Sequence, residues 1–167
     1  MEDDYSTALP ALRIGDVQQL ERLRQQISNF PHGADDFIGR AWITNAIDLG
    51  SPATIRWMLD QHVNLDFRDD EGRTPLHSAL GRAENDRYLI MDMLLTAGAP
   101  VNRKGVNDYT PSHFAAVRDD VPALRLFVRH GADLSIRTNI DDYATPLEEA
   151  RLSSKENAAS YLASVSG

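Results

Sequence analysis

The chain has 167 residues, no cysteine and a formal net charge of −8 at pH 7. That length predicts one domain of ordinary size, and the missing cysteine removes disulfides, a thiolate nucleophile and any Cys-based zinc site. The acidic balance argues against general nucleic-acid binding, which rests on clustered Lys and Arg against phosphates.

The N-terminal segment carries Ala11, Gly15-Asp16-Val17, Leu20 and Leu23 where a degenerate first copy of the unit repeated downstream would have its apolar positions. Ala41-Trp42-Ile43-Thr44-Asn45-Ala46-Ile47 opens the next unit, whose second helix carries Ile55, Met58 and Leu59. Thr74-Pro75-Leu76-His77 follows, then Ile90, Met91, Leu94 and Leu95 before Gly98. Thr110-Pro111-Ser112-His113 stands 36 positions after the first Thr-Pro, and Leu124, Leu126, Phe127 and Val128 precede Gly131. Thr145-Pro146-Leu147 comes 35 positions later again.

A supersecondary unit recurring at this period predicts a stacked solenoid. Each Thr-Pro marks a helix start, because proline suits the first helical turn and threonine can cap it. The apolar spacings of three and four give each second helix one face to bury. Gly98 and Gly131 are helix stops that tolerate left-handed dihedrals.

With these anchors the chain resembles the ankyrin-repeat family, whose motif runs Gly-x-Thr-Pro-Leu-His-x-Ala, a Leu-Leu pair, then Gly-Ala-Asp-x-Asn. The resemblance is strongest from Asp69 to Ser135. It implies an all-α ankyrin-repeat solenoid of helix-turn-helix units with short β-hairpin-like loops. About five repeats are expected in a single domain over 1–167: a cap at 6–40, repeats at 41–73, 74–109 and 110–144, and a C-terminal cap at 145–163. The resemblance gives His77 and His113 a structural task; a metal or catalytic histidine would need convergent partners, and none lies near in sequence. Asn102 occupies the family's turn asparagine, a residue suited to bonding its own nearby backbone.

Two departures from the motif predict loop insertions. Thr74 to Gly98 is three residues longer than Thr110 to Gly131, so Arg82–Arg87 should bulge between two helices. Gly131 to Thr145 is also extended, lengthening the hairpin through Asn139-Ile140-Asp141-Asp142-Tyr143.

The chain carries no phosphate loop, dinucleotide fingerprint, His-Glu-x-x-His or Gly-x-Ser-x-Gly. Its acidic pairs, Asp69-Asp70-Glu71, Asp119-Asp120 and Asp141-Asp142, fall where turns are expected. No enzyme, cofactor or metal is therefore predicted, and function is assigned to a surface. In the resembled family, partners are gripped by the concave face of hairpin tips and exposed first-helix positions. By register that face holds Phe37, Arg40, Arg68, Asp70, Glu71, Arg73, Lys104, Val106, Asn107, Tyr109, Asp141, Asp142 and Tyr143. Asp48, Arg82 and Arg118 join it from the first helices. Arg73, Tyr109 and Tyr143 are the expected anchors, with Arg73 and Tyr109 side by side.

The predicted partner is one or more proteins, with a mild preference for a basic one, because the acidic excess lies in residues 1–74. Neither nucleic acid nor membrane is expected as a partner. A lone binding face with no effector domain favours a monomeric inhibitor or immunity protein occluding one cognate enzyme or toxin, with an adaptor as the competing version. No apolar run exceeds four residues, against about twenty for a membrane-crossing helix. The acidic N-terminus also lacks the apolar core of a secretory signal, and the expected location is cytoplasmic.

Overall fold

A computed structural model describes residues 3–83, 85–139 and 143–165, and among these ten α-helices are arranged as five consecutive pairs. The pairs are α1 (Asp4–Ile14) and α2 (Val17–Gln26), α3 (Trp42–Leu49) and α4 (Pro52–Asp60), and α5 (Pro75–Gly81) and α6 (Arg87–Thr96). They continue with α7 (Pro111–Val117) and α8 (Val121–Arg129), then α9 (Pro146–Leu152) and α10 (Glu156–Val165). First helices pack on first helices and second helices on second helices along the stack, so each pair meets its neighbours in both layers. The expected all-helical solenoid is observed. Among the described residues the hairpin-like loops contain one isolated bridge, Ala34 with Ala41, and no strand.

The Thr-Pro starts behave as their chemistry requires. Pro75 and Pro146 sit in the first turns of α5 and α9, while the hydroxyls of Thr74 and Thr145 accept from the backbone N–H groups of His77 and Glu148. The second helices turn the expected side chains inward. Ile55, Met58, Ile90, Met91, Leu94, Leu124 and Phe127 are fully buried, in one core with Leu12, Leu20, Trp42, Ile47, Leu76 and Leu80. Burying one such side chain contributes about 1.5–3 kcal/mol, so the stack itself supplies the stability that no short helix pair could reach alone.

Gly98 and Gly131 end α6 and α8 with φ of 94° and 81°. His62 stands at the same place after α4 and adopts φ 57°, a left-handed conformation that a β-carbon disfavours. Asn102 departs from expectation. Instead of bonding its own turn, its side chain reaches the next repeat, donating to the Gly131 carbonyl at 3.3 Å and accepting from Asp133 N–H at 2.8 Å.

The first predicted insertion lies between α5 and α6, as expected, but Arg82 does not project from it. Its side chain is folded back into the stack. Of the second insertion, Asn139 and Tyr143 are described, whereas Ile140, Asp141 and Asp142 lie outside the described residues.

Candidate functional site: the row of hairpin loops

Four loops stand in register along one edge of the stack, each closed by a backbone hydrogen bond just before its first helix. The donors and acceptors are Asp35 N–H to Arg40 O (2.9 Å), Asp69 to Arg73 (2.9 Å), Gly105 to Tyr109 (2.7 Å) and Thr138 to Ala144 (3.0 Å). Aspartate side chains shape the first two tips. Asp35 accepts from the amides of Phe37 (3.0 Å) and Ile38 (2.8 Å) and from the side chain of Asn45 (2.7 Å). Burial pushes its carboxyl up, but these donors outweigh it and hold the group below the ordinary carboxylate range. Asp69 similarly accepts from the Glu71 and Arg73 amides. In the third loop, Asn107 and Asp108 both adopt left-handed dihedrals, φ 53° and 60°, which short polar side chains tolerate better than others.

Histidines tie successive loops together. His77 Nδ1 accepts from Thr74 N–H, which leaves Nε2–H to donate to the Tyr109 carbonyl at 3.1 Å. His113 repeats the arrangement, accepting from Thr110 N–H and donating to the Ala144 carbonyl at 3.1 Å. Burial is the leading cause of a lowered pKa in both, bringing His77 down to about 4. These are neutral structural histidines, as the repeat register implied. At the fifth unit Glu148 takes the histidine's place, accepting from Thr145 N–H and pairing with Arg137 at 2.7 Å.

The expected site residues divide sharply. Arg68, Asp70, Glu71, Asn107 and Tyr143 are exposed at the loops, as is Phe37. Arg73 is half-buried and bound within its own hairpin, to Asp69 at 3.1 Å and Glu71 at 3.3 Å. Tyr109 is also half-buried, stacked on the His113 ring at 5.5 Å between centroids and edge-on to Phe114 at 6.4 Å. Arg40 pairs with Asp48 at 2.5 Å, so two side chains expected separately on the face form one ion pair. Asp142 lies outside the described residues.

Arg82 is a correction. Only 6% of it is exposed, and its guanidinium donates to the carbonyls of Ile47 (2.7 Å) and Gly50 (2.9 Å) while gripping Asp86 at 2.6 Å. The C-terminal carbonyls of α3 lack partners within their own helix, and the fork of an arginine from the next repeat satisfies two acceptors at once. Arg118 does the same one repeat on, donating to Leu80 O at 2.8 Å with its guanidinium 4.8 Å from the centre of the Phe114 ring. It keeps an exposed surface.

Two features escaped sequence reasoning. Phe114 joins His77, Tyr109 and Arg118 in one aromatic and cationic cluster; its spacing of four from Arg118 was the available signal. The other is a cleft of about 520 Å³ between the first two hairpins, floored by Ile43, Val63 and Phe67 and edged by Ile38, Arg68 and Asp70. Nothing in the local pattern marks it, because it exists only between two loops.

Comparison with known proteins agrees with this geometry. The ankyrin repeat model matches residues 71–106 and 107–139. The chain is 38% identical over 81 residues to the RelA-associated inhibitor of Mus musculus, covering 48% of this chain and 9% of that protein. It is 37% identical over 99 residues to the putative E3 ubiquitin-protein ligase XBAT34 of Arabidopsis thaliana, covering 58% of this chain and 25% of that one. A putative ankyrin repeat protein of fowlpox virus, FPV244, is 43% identical over 61 residues, 36% of this chain and 9% of its own length. The matched segments thus span a quarter or less of these relatives. Ankyrin repeats are generally non-catalytic interaction modules, and the repeats matched here, continued by the same helix pairs on either side, make this chain a member of the ankyrin-repeat family.

Proposed function

We propose that the chain is a non-catalytic protein-binding module whose partner lies against the hairpin row and the adjoining first helices. The observation carrying this reading is the division of labour among polar side chains. Along the stack they are consumed by repeat-to-repeat bonds, as with Arg82, Asn102, His77 and His113, whereas the loop tips present Phe37, Ile38, Arg68, Asp70, Glu71, Asn107 and Tyr143 outward. Large apolar and aromatic groups exposed beside charges are the composition of a protein interface. Arg40, Arg73, Tyr109, Arg118 and Asp142 complete the proposed contact set, and Arg82 leaves it.

On this reading the chain is one repeat domain, acts as a monomer in the cytoplasm and prefers a basic partner. No helix among the described residues is long and apolar enough to cross a membrane. A second version, occlusion of one cognate enzyme or toxin, draws support from the matched mouse protein, whose name is that of an inhibitor. An affinity pull-down from the native cell, with wild type beside a Phe37→Asp/Tyr143→Ala variant, tests both. A protein retained by wild type and lost by the variant supports the face; an enzyme whose activity falls on adding the chain selects the inhibitor version. A partner retained equally by both forms contradicts the proposed face.

A further inference from the structure

A cleft opens between the first two hairpins of the loop row. Its volume, about 520 Å³, lies in the range of roughly 300–1,000 Å³ that encloses small ligands or a bulky side chain with its backbone. The floor is apolar, built from Ile43, Val63 and Phe67, and the outer wall is formed by Ile38, 53% exposed, next to Phe37 at 64%. Ile38 borders that floor, while the Phe37 ring stacks on Tyr5 at 5.9 Å between centroids, and the backbone beneath is fixed by Asp35 and Asp69.

The charge around the cleft selects the occupant. Of the three arginines that line the cleft, Arg40 is paired with Asp48 and Arg73 with Asp69 and Glu71, while Arg68 is exposed, as is Asp70. Residues 1–74 carry thirteen acidic against seven basic side chains. The field over this half of the molecule is therefore negative, and Asp70 and Glu71 stand exposed at the rim.

We propose that this cleft takes a bulky apolar side chain of an extended peptide segment of the partner, flanked by Lys or Arg that face Asp70 and Glu71. The inference rests on the protein-binding reading above and gives it a subsite. The apolar anchor gains by leaving water and the basic flanks add rate and selectivity.

The test uses the full chain and short synthetic peptides labelled for fluorescence anisotropy, with Trp, Leu, Ala, Asp or phosphoserine at the centre and either Arg or Glu flanks. Trp- and Leu-centred peptides with Arg flanks should bind most tightly, with at least about tenfold loss for an Ala centre or Glu flanks. Ile38→Asp should abolish that preference, and Asp70→Arg with Glu71→Arg should reverse the choice of flank. All three positions are exposed, so melting should be unchanged. Preference for the Asp or phosphoserine centre would assign the cleft's arginines as the recognition groups and overturn the proposal. Equal binding across the series, no binding, or binding indifferent to Ile38→Asp would also overturn it. A native partner lost by Tyr143→Ala but indifferent to Ile38→Asp removes the cleft alone; a partner indifferent to every loop variant removes the protein-binding face itself.

Discussion

The ring of His77 donates from Nε2 to the carbonyl oxygen of Tyr109, 3.1 Å away and one repeat further on. Its other nitrogen accepts from Thr74 N–H, so one imidazole closes its own helix start and holds the next hairpin. Both bonds require the neutral ring in a single tautomer.

That requirement sets a pH dependence. Burial holds the folded pKa near about 4, below the ordinary value of 6.5. Above pH 6.5 the contribution is complete. As pH falls through the window from 6.5 to about 4, the unfolded chain takes up a proton that folded His77 refuses, and stability declines by on the order of 3 kcal/mol. His113, shifted in the same direction, adds to the slope. Urea midpoints followed from neutral pH into this window should fall for wild type and fall less for His77→Gln. Parallel curves would contradict the assignment.

Arg82 binds two carbonyls of the preceding repeat and Asp86 of its own link. Arg82→Ala leaves these acceptors unpaired in a buried setting and should destabilise by about 2–4 kcal/mol. Arg82→Lys should recover part of the loss, since a point cation cannot serve all three positions. Chemical denaturation measures both; a variant within about 0.5 kcal/mol of wild type would return Arg82 to the surface.

His62 occupies a left-handed position that its equivalents Gly98 and Gly131 fill without a β-carbon. Left-handed backbone costs a side-chain-bearing residue about 1–2 kcal/mol, against about 0.5–1 kcal/mol of extra unfolded-state entropy for glycine. His62→Gly should therefore raise stability by about 0.5–1 kcal/mol, read as a higher thermal midpoint.

Gly105 is glycine for a steric reason. A β-carbon there would lie 2.7 Å from His77 Cε1 and 2.9 Å from the carbonyl oxygen of Gly72. Gly105→Ala should cost about 1–3 kcal/mol by forcing the two hairpins apart. Gly81→Ala at the end of α5, where a β-carbon meets nothing within 4 Å, should be neutral or stabilising in the same melts.

Much of this was legible in the sequence because a repeat states its register several times. Three Thr-Pro anchors and two phased glycines located the helix pairs, and the spacing of Leu94, Leu124 and Phe127 gave their buried faces. The candidate site was less legible, since exposure depends on what a neighbouring repeat leaves unsatisfied. Arg82 and Arg68 look alike in sequence, yet only Arg82 lies within reach of the open carbonyls at the end of α3. Asn102 was placed in the right turn with the wrong partner for the same reason. The cleft behind Ile38 depends on two loops 30 residues apart and has no local signature.

The central claim, that the loop row is the partner surface, is tested most directly by calorimetry between the captured partner and three variants of the full chain. Arg68→Ala and Tyr143→Ala remove exposed loop side chains, while Arg129→Ala removes an exposed side chain from α8. The two loop variants should each weaken binding by about 1–3 kcal/mol with melting within about 0.5 kcal/mol of wild type, and Arg129→Ala should leave affinity intact. Full affinity in both loop variants, with the loss at Arg129, would place the interface on the second-helix side and contradict the account.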